Sequence, residues 1–320
     1  MSHQFTSPTI NADIANEHMN NIKHERRHFL IQLAALSTGC LLNTTSLLTE
    51  AAPQSPLQRQ VAALLYRFRQ QGLINSAEGT SWSVYDFTSQ RKLVAINEDA
   101  PRQAASMIKP LVALAFFYTA RRRGSGLRYT PEIRATMERM IRNSDNNATN
   151  KIMHLVSEHN GNRGPSAVEM VLKRDAPGIF AQTDIVEYIP PNGRTYKNRA
   201  SAHDYSRFLY ALWLDRLPQA AELRNLMALP NRDRITTGVS AIPAHVRVYD
   251  KTGSTAQLCG DMGIVSTQMR SGRPHVYTFV GIIERDQSGD YGSWIKSRGD
   301  AMRGVSKLVY RYMEERYQLV

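Results

Sequence analysis

The sequence predicts an α+β fold: a five-stranded antiparallel sheet flanked by the terminal helices, with an all-helical domain inserted between strands two and three. Three observations predict it. Apolar spacing changes along the chain from three-and-four to two and back. The strand-like runs fall into an early pair and a late trio, separated by the mostly helical stretch 106–229. Helix and strand do not alternate as a parallel sheet requires.

Pro53 opens the first helix, with Leu57, Val61, Leu64, Leu65 and Phe68 on one face and Gly72 as its stop. Ser81–Phe87 and Lys92–Ile96 then alternate with period two and read as a hairpin around Thr88–Arg91. The helical stretch is broken by a loop-like interval, Pro177–Asn198. Val246–Tyr249, Met262–Ser266 and Val276–Ile283 return to strand, the last two joined by the turn Arg270–Pro274. A final helix carries Val305, Leu308, Val309, Tyr312 and Met313 on one side. The expected division is therefore 53–105 with 230–320 as the sheet domain and 106–229 as the helical domain. The cleft between them is the expected active site.

Residues 1–52 read as an export signal and linker. A polar stretch leads to Arg26-Arg27-His28-Phe29-Leu30, and a short uncharged apolar run follows to Leu42. A basic pair ahead of such a run is how an export signal is built, and this one resembles the twin-arginine type. Cleavage after Ala51 is one expectation. A weak lipoprotein box, Leu36–Cys40, is the other and would leave a lipid anchor on Cys40. Either way the protein is expected in the periplasm, without a membrane span in its mature part.

The chain has 320 residues, 42% of them hydrophobic and 21% charged, which excludes wholesale disorder. No run of eighteen apolar residues exists, so a multi-span membrane protein is excluded too. Cys40 and Cys259 cannot form a disulfide scaffold, and no Cys/His spacing suggests zinc. Cys259 opens an apolar strand and reads as a buried, inert thiol. The net charge of +12 comes from scattered residues, the longest run being Arg121-Arg122-Arg123. Without a nucleic-acid motif beside it, that charge reads as solubilising, and no nucleic acid partner is expected.

Three short motifs sit at element edges. Ser106-Met107-Ile108-Lys109 opens a very apolar helix. Positions i and i+3 share a face, so Lys109 can lie over the Ser106 hydroxyl. Desolvation by that helix would lower the lysine's pKa and make it a base for the serine. Pro110 is tolerated because it falls in the first turn. Ser144-Asp145-Asn146 is a polar break between helical segments, by itself readable as a helix cap. Lys251-Thr252-Gly253 ends the strand that begins at Val246, where glycine allows close approach and the lysine and hydroxyl suit an anion.

In this order and on these elements, the three motifs resemble the penicillin-recognising serine hydrolases, most closely the class A β-lactamase family. The likeness extends over residues 53–320 and includes Ala241-Ile242-Pro243 upstream of the lysine motif. It implies a β-lactamase/transpeptidase-like fold and catalysis through a serine acyl-enzyme without metal or cofactor. Ser106 would be the nucleophile and Lys109 its base. Ser144 would pass a proton to the leaving nitrogen, in contact with Lys251, and Asn146 would hold Lys109 and the substrate amide. The backbone N–H groups of Ser106 and Ser254 would form the oxyanion hole, where losing one donor costs about 10²–10³ in rate. Thr252 and Thr255 would bind the substrate carboxylate, with Gly253 beside them.

The pattern departs from the family in two places. The loop glutamate that frees the acyl-enzyme in class A enzymes falls, counting back from Ile189-Pro190, on Gln182. Asp184 or Glu187 would have to substitute as deacylation base. The segment from Ser106 to Ser144 is also short, with Arg121–Tyr129 replacing a longer excursion. An arginine that supports the substrate carboxylate in family members is not visible. Arg234 and Arg247 are stand-ins that read more simply as surface charges.

The expected function is hydrolysis of a β-lactam amide by a monomeric, exported serine hydrolase. A D,D-peptidase acting on peptidoglycan stem peptides, with slow deacylation, follows closely, and another ester or amide hydrolase comes third. From other classes come a non-catalytic cell-wall binder, which has no need of Ser106, Lys109, Ser144 and Lys251 together, and a cytosolic nucleic-acid protein.

Overall fold

The computed structural model describes residues 54–190, 194 and 197–320. The chain separates into two units, Met1–Ala52 and Pro53–Val320, and the described residues all belong to the second. The expected export signal, with Arg26, Arg27 and Cys40, lies outside the described residues.

Helix α1 (Pro56–Gln70) starts where Ser55 accepts the Gln58 N–H at 3.0 Å and Pro56 fills the first turn. Strands β1 (Gly79–Asp86) and β2 (Arg91–Ile96) form the expected hairpin. Gln90, with φ of 55°, lies in its turn, and Asp86 accepts the Thr88 N–H at 2.9 Å.

The short strand β3 (Arg102–Gln103) leads into a 3₁₀ turn, Ala105–Ile108, and then α2 (Lys109–Arg121). Every residue of α2 from Lys109 to Thr119 is buried, which makes it the central helix of its block. Around it lie α3 (Pro131–Arg142), α4 (Asn146–Glu158), α5 (Ser166–Asp175), α6 (Ala202–Trp213) and α7 (Ala220–Met227). A second short strand, β4 (Arg199–Ala200), pairs with β3.

Strands β5 (Arg247–Ser254), β6 (Leu258–Gln268) and β7 (Pro274–Glu284) complete a sheet of order β2-β1-β7-β6-β5, antiparallel throughout. The last helix, α8, runs from Tyr291 to Tyr317. Among the described residues no helix is long and apolar enough to cross a membrane.

The sheet separates two hydrophobic cores. Leu57 and Val61 of α1 and Val305 and Val309 of α8 join Trp82, Val265 and Phe279 on one side. On the other, α2 and its neighbours meet Met262, Ile264, Val280 and Ile282. The alternation of Met262 and Ile264 against Val265 is the period-two rule applied to a sheet buried on both faces.

One difference from the sequence reading bears on function. The strand expected to end at the lysine motif runs through it to Ser254, with Lys251 opposite Met262 and Gly253 opposite Gly260. Hydrogen bonding to β6 carries the strand past polar residues whose composition alone signals a turn.

Candidate active site

Ser106 sits on the 3₁₀ turn that opens α2, preceded by Ala105 at φ 45°. An alanine in that left-handed region is strained and is held there by its surroundings. One such support is β5. A Cβ built on Gly253 would lie 3.0 Å from Met107 Cγ, 3.2 Å from Ala105 Cβ and 3.4 Å from the Met107 nitrogen. The missing side chain thus lets strand and turn approach to contact distance.

Lys109 follows one turn later and is fully buried. Its Nζ lies 3.0 Å from Ser106 Oγ, 2.6 Å from the Ser144 carbonyl oxygen, 3.2 Å from Ser144 Oγ and 3.0 Å from Asn146 Oδ1. Burial lowers its pKa to about 7, with repulsion from Lys251 adding to the effect and Asp145 opposing it. An ammonium has three protons for four acceptors. The free amine can instead donate to Ser144 O and Asn146 Oδ1 while its lone pair takes the Ser106 proton.

The second motif is shaped by the junction of two helices. Asn143 caps the end of α3, and Ser144 turns the chain at φ 57°. Asp145 caps α4 by accepting the Ala148 N–H at 3.0 Å. The cap reading and the reactive reading therefore both hold, for neighbouring residues. Asp145 does the capping, which leaves Ser144 and Asn146 directed at Lys109.

Lys251 is buried, and burial lowers its pKa to about 8, against the pull of Asp250 and Asp261. Among the described residues its ammonium donates to the Thr252 carbonyl oxygen at 2.9 Å rather than to the Ser144 hydroxyl. Asp250 and Asp261 are themselves buried. Burial raises both, Asp261 to about 7, and repulsion from Asp261 raises Asp250 further.

Arg234, set aside from sequence as a surface charge, belongs to this strand. Its Nη2 donates to Ser254 Oγ at 2.6 Å and its Nη1 to the Gly260 carbonyl oxygen at 2.9 Å, while its backbone N–H reaches Asp261 at 2.7 Å. Arg247, the other stand-in, is exposed at the far end of β5. Thr252 and Ser254 are half-buried along the strand. Thr255 is not available beside them. Its hydroxyl donates to Gln103 Oε1 at 3.1 Å and accepts the N–H groups of Gln257 and Leu258, so it fixes the β5–β6 turn.

The loop Pro177–Asn198 is stitched by side chains that bind its backbone. Gln182 donates its N–H to Asp204 at 2.8 Å and accepts the Ser201 hydroxyl at 3.2 Å. Asp184 is half-exposed, 3.5 Å from the Lys173 ammonium. Glu187 accepts the Lys197 N–H at 3.0 Å, and Asn198 holds the Glu187 backbone. None of these contacts brings Gln182, Asp184 or Glu187 to Ser106. The loop residue tied to the helix that carries Asn146 is Ile189. Asn150 accepts its N–H and donates to its carbonyl oxygen, both at 2.8 Å. Asn150 lies one helical turn beyond Asn146, and that i+4 spacing is the sequence signal that would have found it. No group of three or more His, Cys, Asp or Glu side chains among the described residues is arranged to hold a metal ion.

This fold is of the β-lactamase/transpeptidase kind. It resembles a Leu-to-Glu mutant of PBP-A, solved as an acyl-enzyme complex with penicillin G, at a TM-score of 0.62 and 20% identity, over 82% of this chain and 99% of that one. A beta-lactamase from Desulfarculus baarsii gives 0.59 at 19% identity, over 80% and 98%. An ancestral class A beta-lactamase gives 0.57 at 20%, over 80% and 99%. The profile of the beta-lactamase enzyme family matches residues 120–313, more than half of the chain, and the protein belongs to that family. No curated protein matches it.

Proposed function

We propose that the protein opens the amide of a β-lactam through an acyl-enzyme on Ser106 and releases the product slowly. The observation that carries this reading is the buried Lys109 amine, 3.0 Å from Ser106 Oγ, whose pKa burial lowers to about 7. Lys109 takes the Ser106 proton as Oγ attacks the lactam carbonyl carbon. The resulting oxyanion is received by the backbone N–H groups of Ser106 and Ser254. As the C–N bond breaks, Ser144 gives its proton to the leaving nitrogen and regains from Lys109, 3.2 Å away, the proton taken from Ser106. Arg234 and Ser254, with Thr252, suit the substrate carboxylate.

A penicillin-binding peptidase acting on peptidoglycan stems is the second reading. The loop favours it, because Asn150, one helical turn beyond Asn146, clamps an aliphatic residue, Ile189, rather than a carboxylate. We also infer export through residues 1–52, which a reporter fusion to that segment tests.

A chromogenic cephalosporin mixed with the protein, with Ser106→Ala as control, separates these readings. A burst of one equivalent followed by slow turnover, lost in Ser106→Ala, is the expected result. A stoichiometric burst with no turnover gives the peptidase reading the lead. Neither burst nor turnover overturns both.

A further inference from the structure

A cavity of about 540 Å³ lies away from the reactive cluster, between α6, the end of α2, the start of the loop after α5, and the β1–β2 hairpin. Tyr118, near the end of α2, lines it. Lys109, at the helix start, is nine residues away, or about 14 Å along the axis. The volume is that of a small-molecule site. Aromatic rings form much of the wall: Tyr85 meets Tyr210 edge-on at 5.0 Å, and Tyr118 adds a third ring.

The charge of the lining is lopsided. Lys92, Arg207 and Arg216 are its cations and Asp175 its acid. Lys92 is already satisfied by Glu98 at 2.7 Å, and Asp175 by Arg174 at 2.7 Å. Arg207 stands 3.6 Å from the buried Asp204. Arg216 lies over the Tyr210 ring, 5.4 Å from its centroid, and among the described residues it pairs with no carboxylate. The cavity thus offers aromatic side chains beside one cation without an acid partner. His203, the remaining ionisable group of the lining, is held by Asp99 at 2.7 Å and adds no second free cation.

We propose that this cavity is a second binding site, for a small aromatic anion such as an aryl carboxylate or sulfonate. Its ring lies among Tyr85, Tyr118 and Tyr210, and its charge meets the Arg216 guanidinium. The site is independent of acyl transfer at Ser106.

Anilinonaphthalene sulfonate, an aromatic anion whose fluorescence rises out of water, tests it on the full chain. The expected result is saturable one-to-one binding that weakens at least tenfold in Arg216→Glu, survives in Arg216→Lys, and is unchanged in Arg234→Ala. Circular dichroism of each variant confirms that exposed Arg216 can be changed without unfolding. Binding indifferent to Arg216→Glu, binding lost in Arg234→Ala while Arg216→Glu retains it, or no saturable binding each overturns the proposal.

Discussion

The cluster around Ser106 and the loop Pro177–Asn198 spend their polar side chains in opposite ways. In the cluster, Ser106, Ser144 and Asn146 all converge on one amine, Lys109. At the loop, Asp204, Asn150 and Glu169 of the neighbouring helices and Asn198 of the loop itself are each committed to backbone groups, of Gln182, Ile189, Ile185 and Val186 among others. A polar group bound to backbone holds shape, whereas one left facing another side chain can move a proton. On the proposed mechanism, the molecule therefore supplies the parts for making an acyl-enzyme more fully than those for breaking it.

The largest effect should come from the nucleophile. Ser106→Ala is expected to lower acylation by at least about 10⁴-fold, read as loss of the penicillin adduct in intact-mass spectra. An adduct that persists would place the reactive group elsewhere. Next is the base. Lys109→Ala should slow acylation by about 10²–10⁴-fold. In the unaltered protein the rate should climb with pH through about 7, as Lys109 loses its proton, and fall above about 8, as Lys251 does. A flat profile from pH 6 to 9 would refute the assignment of these two lysines.

Ile189→Glu sharpens the contrast, because it sets a carboxylate where Asn150 clamps the loop. Deacylation should rise by about tenfold or more relative to acylation, with Ile189→Ala giving no such gain. Asp184→Asn is the smallest change. With its carboxylate toward Lys173 and half-exposed, deacylation should stay within about twofold. A larger fall would make Asp184 the missing base.

What the sequence revealed follows the same division. Ser106 and Lys109 are three residues apart on one helix, so their meeting is local and legible. The five strands could be counted because period-two alternation marks the hairpin and apolar runs mark β6 and β7, although Lys251–Ser254 were too polar or too small to mark where β5 ends. Arg234 could be named from sequence only as a stand-in, not placed. Its distance from Ser254 is set by the turn at Asp233, which gathers the N–H groups of Ile235 and Thr237, and no pattern in the chain announces that. Counting back from Ile189-Pro190 to Gln182 assumed a loop of fixed course. What fixes the loop at Ile189 is the Asn150 clamp, thirty-nine positions away in sequence.

Burying Lys109 also has a thermal consequence. Unfolding returns the amine to water, where it keeps its proton up to about 10.5, whereas in the fold it holds that proton only below about 7. Between those values the unfolded chain binds more protons, so this residue makes the protein more stable as pH rises through the window. Below pH 7 its full destabilising effect is present. A neutral side chain of similar length, as in Lys109→Met, should therefore melt several degrees higher in mild acid and lose that advantage toward pH 10. The residue proposed to arm the serine is one that the fold would be firmer without.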